Sequence, residues 1–375
     1  STGLQVILLI YLVSSAFAAS GSAPDAWQDN LTPLPASSWN QDTAAHLLER
    51  AGFGGTPEQI QALFELGVRD AVEQLVHFDR AGGTSALPFD HSGVHDPGLE
   101  PFPPSRPATT ELAKRTGEAL GIKVKPEGNR RLQPVVNKFF YWLRASRLET
   151  ERVAYWWANR MLTTESPLQE KMALFWHGHY AISEGKVRDY RKLLQELELF
   201  HAMGAGNFHE LMLAVAKDPA MLAFLDAGVN VKGAPNENFA REIMELFTMG
   251  VGNYDELDIR EAARAFTGWN YVDLQFVFNE HEHDGARKVF LGRSGEFDGE
   301  DIIAMIMEQP ATAEYIAGKI YRFFVRTELS KELQSELGSV LRAANYEIAT
   351  LLETIFLSKD FYSDASVGTH IKSPV

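Results

Sequence analysis

The chain has 375 residues, 45% of them hydrophobic and 23% charged, enough to bury one large core or two modest ones. Acidic residues outnumber basic ones 50 to 35, for a formal charge of −15. That argues against nucleic acid or an anionic membrane surface as a partner, because binding phosphate needs clustered Lys and Arg. There is no cysteine, so disulfides, thiolate nucleophiles and sulfur-ligated metal centres are excluded.

From the N-terminus, residues 4–13 form an apolar run broken only by Gln5, followed by Ala16-Phe17-Ala18. This predicts a signal peptide over 1–18, since the run is shorter than the roughly 20 residues that span a bilayer. The mature chain is therefore expected to be secreted or periplasmic, with no membrane span. No Met or basic stretch precedes the run, so the start is expected to be missing, and the abrupt end at Pro374-Val375 predicts truncation. Residues 19–42 read as an N-terminal extension and 43–375 as a single helical domain.

Residues 43–80 read as two helices. Thr43 is expected to cap the first, and Thr56-Pro57-Glu58-Gln59 to open the second with a cap, a first-position proline and a good first turn. Residues 81–110, rich in Pro and Gly, read as a loop. Helical patterning resumes near Pro134, with Val136, Phe139, Phe140 and Leu143 on one face, then a long helix through Val153, Trp156, Trp157 and Met161. Ser166-Pro167-Leu168-Gln169 reads as a helix start with a capping box. Helices follow at 188–203, 207–216 and 219–225, the last opened by Asp218-Pro219. Asn236 is expected to cap 237–248, ended by Gly250, and Asp255 to cap 256–267, ended by Gly268. Alternation of Leu274, Phe276 and Phe278, and of Val289 and Leu291, predicts one β-hairpin over 272–292. Helices at about 311–325, 330–343 and 345–358 close the chain. The fold class is mainly α, a multi-helix globular domain with a small β-hairpin insertion.

Four polar clusters are candidates for chemistry. In Phe175-Trp176-His177-Gly178-His179-Tyr180, two histidines at i and i+2 point about 200° apart on a helix and the same way on extended chain. Gly178 predicts an extended exit, in which His177 and His179 grip one divalent transition metal. The bland alternative is two histidines bonded to carbonyls among aromatics. In Asn236 to Phe247, Glu237, Arg241 and Glu245 form one stripe with Glu242 at its edge, and Asn236 and Asn238 open the helix. The stripe reads either as a solvated ion-pair ladder or as a buried Arg–Glu pair that raises a carboxyl pKa. The predicted hairpin tip carries His281, Glu282, His283 and Asp284, with Lys288 beyond it. The loop from Asp226 to Pro235 leads into the second cluster. Tyr141, Trp142, Tyr155, Trp156 and Trp157 read as a sugar-stacking platform or, more simply, as core.

In order, these phrases resemble a known family. His46-Leu47-Leu48-Glu49-Arg50-Ala51-Gly52-Phe53-Gly54, Glu170-Lys171-Met172, Trp176-His177-Gly178-His179 and Asp218-Pro219-Ala220-Met221-Leu222 with Leu225-Asp226 carry the resemblance. So do the stretch from Asn236 to Gly250, Glu261-Ala262-Ala263-Arg264-Ala265-Phe266-Thr267-Gly268-Trp269, His283-Asp284, Lys288 and Ser373-Pro374. The chain is similar to the bacterial exported family catalogued as domain of unknown function 1800. The resemblance implies an exported protein without assigning an activity, and it implies one shared site containing His177, His179, Asp226, Glu237, Arg241, Glu242, Glu245, His283 and Asp284. Phe247 departs from the pattern where many members carry His, and Ala286 where Gly is expected.

Three functions follow. In the first, His177, His179 and His283 with Glu242 or Asp284 hold a divalent metal that activates water for hydrolysis, Glu237 acting as base and Arg241 orienting it. In the second, Glu237, Glu242 and Asp226 work as paired carboxylates on a glycan, without metal. In the third the polar motifs fix helix packing in a cell-surface or export-associated binding or scaffold protein.

Overall fold

The computed structural model describes residues 27–78, 88–92 and 133–369, with 115 and 119. The predicted signal peptide, most of the loop at 81–110 and the Ser373-Pro374 phrase lie outside the described residues. The chain opens on three helices, α1 (Gln41–Ala51), α2 (Pro57–Leu66) and α3 (Val68–Val76). The single helix expected after Thr56 is broken at Gly67, whose φ of +81° no β-carbon-bearing residue adopts cheaply. Asn40, one turn before the predicted cap, caps α1, and Thr43 closes the reciprocal bond of the capping box. Thr56 and Gln59 form the capping box predicted for α2.

The two helices expected from Pro134 onward are one, α4 (Gln133–Thr163), and α5 (Pro167–Tyr180) follows it. Pro167 takes the first position of α5, but the expected capping box is absent: Gln169 sends its amide to the His201 carbonyl, 3.0 Å away, and Ser166 makes no side-chain cap. Next come α6 (Glu184–Val187), α7 (Tyr190–Met203), α8 (Phe208–Ala216) and α9 (Pro219–Phe224). Asp218 caps α9 through the Ala220 and Met221 amides.

The helix after Asn236 is composite. α10 (Asn238–Glu242) runs into a π-helical turn over Ile243–Thr248, then α11 (Glu256–Ala265) starts at its Asp255 capping box. The predicted hairpin over 272–292 is two hairpins. β1 (Trp269–Val272) pairs with β2 (Gln275–Phe278), and β3 (Lys288–Phe290) with β4 (Arg293–Gly295), both antiparallel. The strands turn earlier than alternation suggests because Asp273, and then Leu291 and Gly292, adopt positive φ and close two-residue turns. The chain closes with α12 (Gly299–Met307), absent from the sequence reading, α13 (Pro310–Phe324), α14 (Lys331–Ala343) and α15 (Ile348–Leu357).

One apolar core runs through these elements, with Trp176, Phe200, Phe208, Phe239, Phe266, Phe324 and Phe356 almost fully buried. The segment before α1 is tied to the end of the chain. Leu34 donates its amide to Leu357, Asp29 accepts from Arg326, and Arg326 also bonds Asp360 at 2.7 Å. The architecture is mainly α, with small β-hairpins set between α11 and α12.

Candidate functional site

The His-x-His pair lies inside α5, not on an extended exit. A β-carbon on Gly178 would meet nothing within 4 Å, so neither crowding nor backbone strain stops the helix there. The two imidazoles consequently diverge. His177 is exposed at the edge of Trp157, ring centroids 5.4 Å apart. His179 turns inward and donates from Nε2 to the Phe247 carbonyl at 3.1 Å, leaving Nδ1 buried without a partner. Burial lowers its pKa to about 4, so it is neutral at pH 7.

The contact falls at the end of the π turn, where the last carbonyls of the helix have no partner in the ladder. The Phe247 carbonyl accepts from His179, the Leu246 carbonyl from the Tyr315 hydroxyl, and the Ile243 carbonyl from Thr248 Oγ1. Phe247 packs its ring 5.1 Å from Tyr180.

The acidic stripe is a surface network. Arg241 grips Glu256 with two parallel bonds of 3.0 and 2.9 Å and reaches Glu237 at 3.3 Å, while Arg260 lies 3.5 Å from Glu237. Glu245 accepts from the Tyr254 hydroxyl at 3.1 Å. Glu242 is half-buried and makes no hydrogen bond among the described residues; burial, then the nearby Glu245, raise its pKa. Asn236 works on backbone, accepting from the Asn238 amide at 2.9 Å and donating its own amide to Asn230. The Asn238 side chain reaches the Leu225 carbonyl. Asp226, in the left-handed region at φ +55°, is exposed and pairs with Lys186 at 2.8 Å.

His283, Asp284 and Lys288 belong to a knot built on α11. Three of its side chains, Asp258, Glu261 and Arg264, stand three residues apart and so share one face. Asp258 accepts from the Leu291 amide and Glu261 from the Val289 amide, each at 2.8 Å. Val289 stands on the edge of β3 away from β4 and Leu291 in the turn that follows, so helix carboxylates stand where a third strand would otherwise bond. Arg264 bonds Asp284 at 2.7 Å and both Glu261 oxygens at 2.9 Å. The Arg264 guanidinium holds the Asp284 carboxyl below the usual range. Thr267 completes the knot: its hydroxyl donates to the Arg264 carbonyl and accepts from the Asp284 amide, and its carbonyl accepts from His283 Nδ1 at 2.9 Å. Gly268 must be glycine, since its φ is +82° and a β-carbon would sit 2.5 Å from the Asn279 carbonyl. Lys288 is buried, its ammonium donating to the Asp284 and Ala286 carbonyls at 2.6 and 3.1 Å; burial lowers its pKa.

The expected metal set of His177, His179, His283 and Asp284 is therefore not assembled, because His179 is bonded to the π turn while His283 and Asp284 are bonded within the α11 knot. Among the described residues, no group of three or more His, Asp or Glu side chains is placed to hold a metal ion. The aromatic platform also divides: Trp142 and Trp157 are buried, whereas Tyr141 and Tyr155 are exposed on the outer side of α4.

Two buried polar groups escaped the sequence reading. Glu170 is fully buried; its Oε1 accepts from Arg160 Nε and a second guanidinium nitrogen at 2.9 and 2.7 Å, and its Oε2 from Trp157 and His201 at 3.0 and 2.7 Å. Burial alone would raise its pKa, but the His201 and Arg160 bonds outweigh that and lower it. Spacing signals only Trp157 and Arg160, three apart on α4. Glu196 and Asp218 are the second group, both buried, with Glu196 Oε1 lacking a partner. Burial pushes both pKa values up, that of Asp218 to about 6. Apart from these, a groove of about 640 Å³ runs between α1, α2 and the end of α4, lined by Leu48, Phe53, Leu63, Leu66, Met161 and Leu162 among others.

The model of the family described as "Protein of unknown function (DUF1800)" matches residues 46–375, and the chain belongs to that family. No curated protein and no solved structure matches the chain.

Proposed function

We propose that this family member is an exported binding or scaffold protein in which the signature residues hold the fold together. One observation carries the reading: most of the polar atoms that make the signature look like a site are bonded within the chain, His179 Nδ1 and the Glu242 carboxylate excepted. Arg264, Glu261, Asp284, Thr267, His283 and Lys288 join α11 to β3 and to the segment between the two hairpins, and His179 anchors the π turn to α5. Such a network rigidifies and specifies packing when all its members are satisfied. Export rests on the apolar run and the Ala16-Phe17-Ala18 phrase.

The test is a double-mutant cycle on Arg264→Ala and Asp284→Ala, read by thermal melting. Each single change should lower the Tm by several degrees, and the double change should cost less than their sum. Titrating zinc, manganese or nickel into the wild type should leave the Tm unchanged. A Tm indifferent to both single changes would sink the reading, as would a metal-induced rise that His177→Ala abolishes. Export is checked by expressing the chain behind a start codon in a bacterial host and sequencing the released protein, which should begin at Ala19.

Glu242 favours a second reading, acid–base chemistry on a glycan. It is the stripe carboxylate without a hydrogen-bond partner, and its pKa is raised beside Glu245. Glu242→Gln distinguishes the two. A scaffold role predicts unchanged or slightly increased stability and unchanged binding of oligosaccharides; a catalytic role predicts loss of any glycan-cleaving activity with binding retained.

A further inference from the structure

Lys171 follows the buried Glu170 on α5 and is half-buried. Its ammonium rests on aromatic faces, 4.8 Å from the ring centroid of Phe53 in the loop after α1 and 5.8 Å from that of Phe323 near the end of α13. Among the described residues it makes neither a hydrogen bond nor an ion pair. The buried Lys288 and Lys192 differ, the first donating to two carbonyls and the second to Asp189 at 2.7 Å. The charges that act on Lys171 stand on α1: Arg50 repels it, and Glu49 attracts it more weakly. Arg50 is held in place, its guanidinium forked onto the Phe324 and Val325 carbonyls at 2.7 and 2.6 Å. Aromatic faces attract an ammonium but do not replace its water. Burial and then Arg50 accordingly lower the pKa of Lys171 to about 8. Phe53 also lines the groove of about 640 Å³, so one ring borders both the amine and open apolar space.

We infer that Lys171 is a nucleophilic amine that forms imines with aldehydes bearing an aliphatic chain, the chain lying in the neighbouring groove. An amine desolvated by apolar surroundings and set beside a second cation is activated in this way for attack on carbonyl carbon. The neutral nitrogen adds to that carbon, the π pair of the carbonyl moves to oxygen, and a proton passes from nitrogen to the oxygen through water. The carbinolamine then loses water and leaves a C=N bond. One water is released for each imine, and nothing is oxidised or reduced. The groove sets the class of aldehyde. Leu48, Leu63, Leu75 and Met161 line it, and no Lys or Arg does, so a chain bearing a carboxylate or phosphate finds no counter-ion there. An aliphatic chain finds the apolar contact that small-molecule sites are built from.

The experiment labels the wild-type 375-residue chain with hexanal and sodium cyanoborohydride, which reduces each imine to a stable secondary amine that peptide mass spectrometry locates. The exposed Lys232 and Lys331 are internal references. About a tenth of an amine with a pKa near 8 is neutral at pH 7, against under about a thousandth at the ordinary 10.4. Lower intrinsic nucleophilicity takes back part of that gain, so Lys171 should be labelled about tenfold faster than the references at pH 7. With formaldehyde, which has no chain for the groove, that lead should shrink. Brief pulses of acetic anhydride, which only the neutral amine attacks, read the titration separately: Lys171 should level off above about pH 9 while the references keep rising. Hexanal labelling no faster than the references overturns the inference, and so does an acetylation rate that rises with theirs. An equal lead with formaldehyde overturns the aliphatic class. Every readout is on wild-type protein, and none bears on the α11 knot, whose test is stability.

Discussion

Replacing Glu170 with glutamine removes one charge from a buried ion pair and changes almost nothing in shape. The carboxylate has no solvent exposure, and Arg160 is 14% exposed. One oxygen holds the guanidinium, and the other accepts from Trp157 and His201. An amide offers only one acceptor oxygen. If it faces Arg160, its NH2 group meets the Trp157 and His201 donors; if it is flipped, it meets the guanidinium. Breaking a buried pair while leaving the partner charged costs about 3–5 kcal/mol. Because Arg160 keeps some contact with water, and the amide oxygen still accepts one bond, about 3 kcal/mol is expected. At about 2 °C per kcal/mol for a large domain, the Tm should fall by about 6 °C. Urea unfolding at pH 7 measures the loss, and the midpoint should shift without a change in slope. The pKa of Glu170 is lower in the folded than in the unfolded state. Its stabilisation is therefore complete above the ordinary glutamate pKa and disappears as pH falls through the folded value, so the two proteins should converge in acid. A loss below about 1 kcal/mol at pH 7, or a difference that widens in acid, would refute the account.

Three further outcomes follow. Lys288→Met keeps the stem but leaves the Asp284 and Ala286 carbonyls without their donor, so equilibrium unfolding should show about 1–3 kcal/mol of lost stability. His179 has a folded pKa near 4 against 6.5 unfolded, so the unfolded chain binds more protons between those values and stability falls as pH drops from 6.5 towards 4. In His179→Gln that slope should lessen by up to about 1.4 kcal/mol per pH unit, and an unchanged slope in urea titrations at pH 6 and 5 counts against a neutral buried imidazole. For Asp360→Asn, the bond from Arg326 loses its charge partner while the Tyr321 hydroxyl bond stays possible. Proteolysis within residues 27–34, monitored by mass spectrometry, should accelerate as that segment loosens; wild-type kinetics would break the link.

Local chemistry carried most of the helical plan. Thr56-Pro57-Glu58-Gln59, Asp218-Pro219 and Asp255 announce their helices because the cap and first turn, with a proline in the first two, lie within four residues. α12 escaped notice because its opening Asp298-Gly299 reads as a turn and its apolar residues are nearly continuous, giving no periodic stripe. The hairpins were misregistered because alternation shows which residues are extended but not where positive-φ residues turn the chain. The site was legible as clustering and illegible as partnership. Arg241 and Glu237 are four apart and pair as spacing suggests, yet the stronger bond goes to Glu256, fifteen residues on. Gly178 suggests extended chain at His177 and His179 because glycine often ends helices, whereas it sits on an open helix face.

The π turn over Ile243–Thr248 also sets how this chain tolerates length change. It is in effect a one-residue surplus absorbed within a helix. Deleting any one residue there would let the segment relax to ordinary α-helix and re-aim the carbonyls at its end. His179 would then face a different carbonyl, and Tyr315 would lose Leu246. Insertions and deletions in relatives should therefore collect in the surface loops and avoid these six residues, whatever amino acids occupy them.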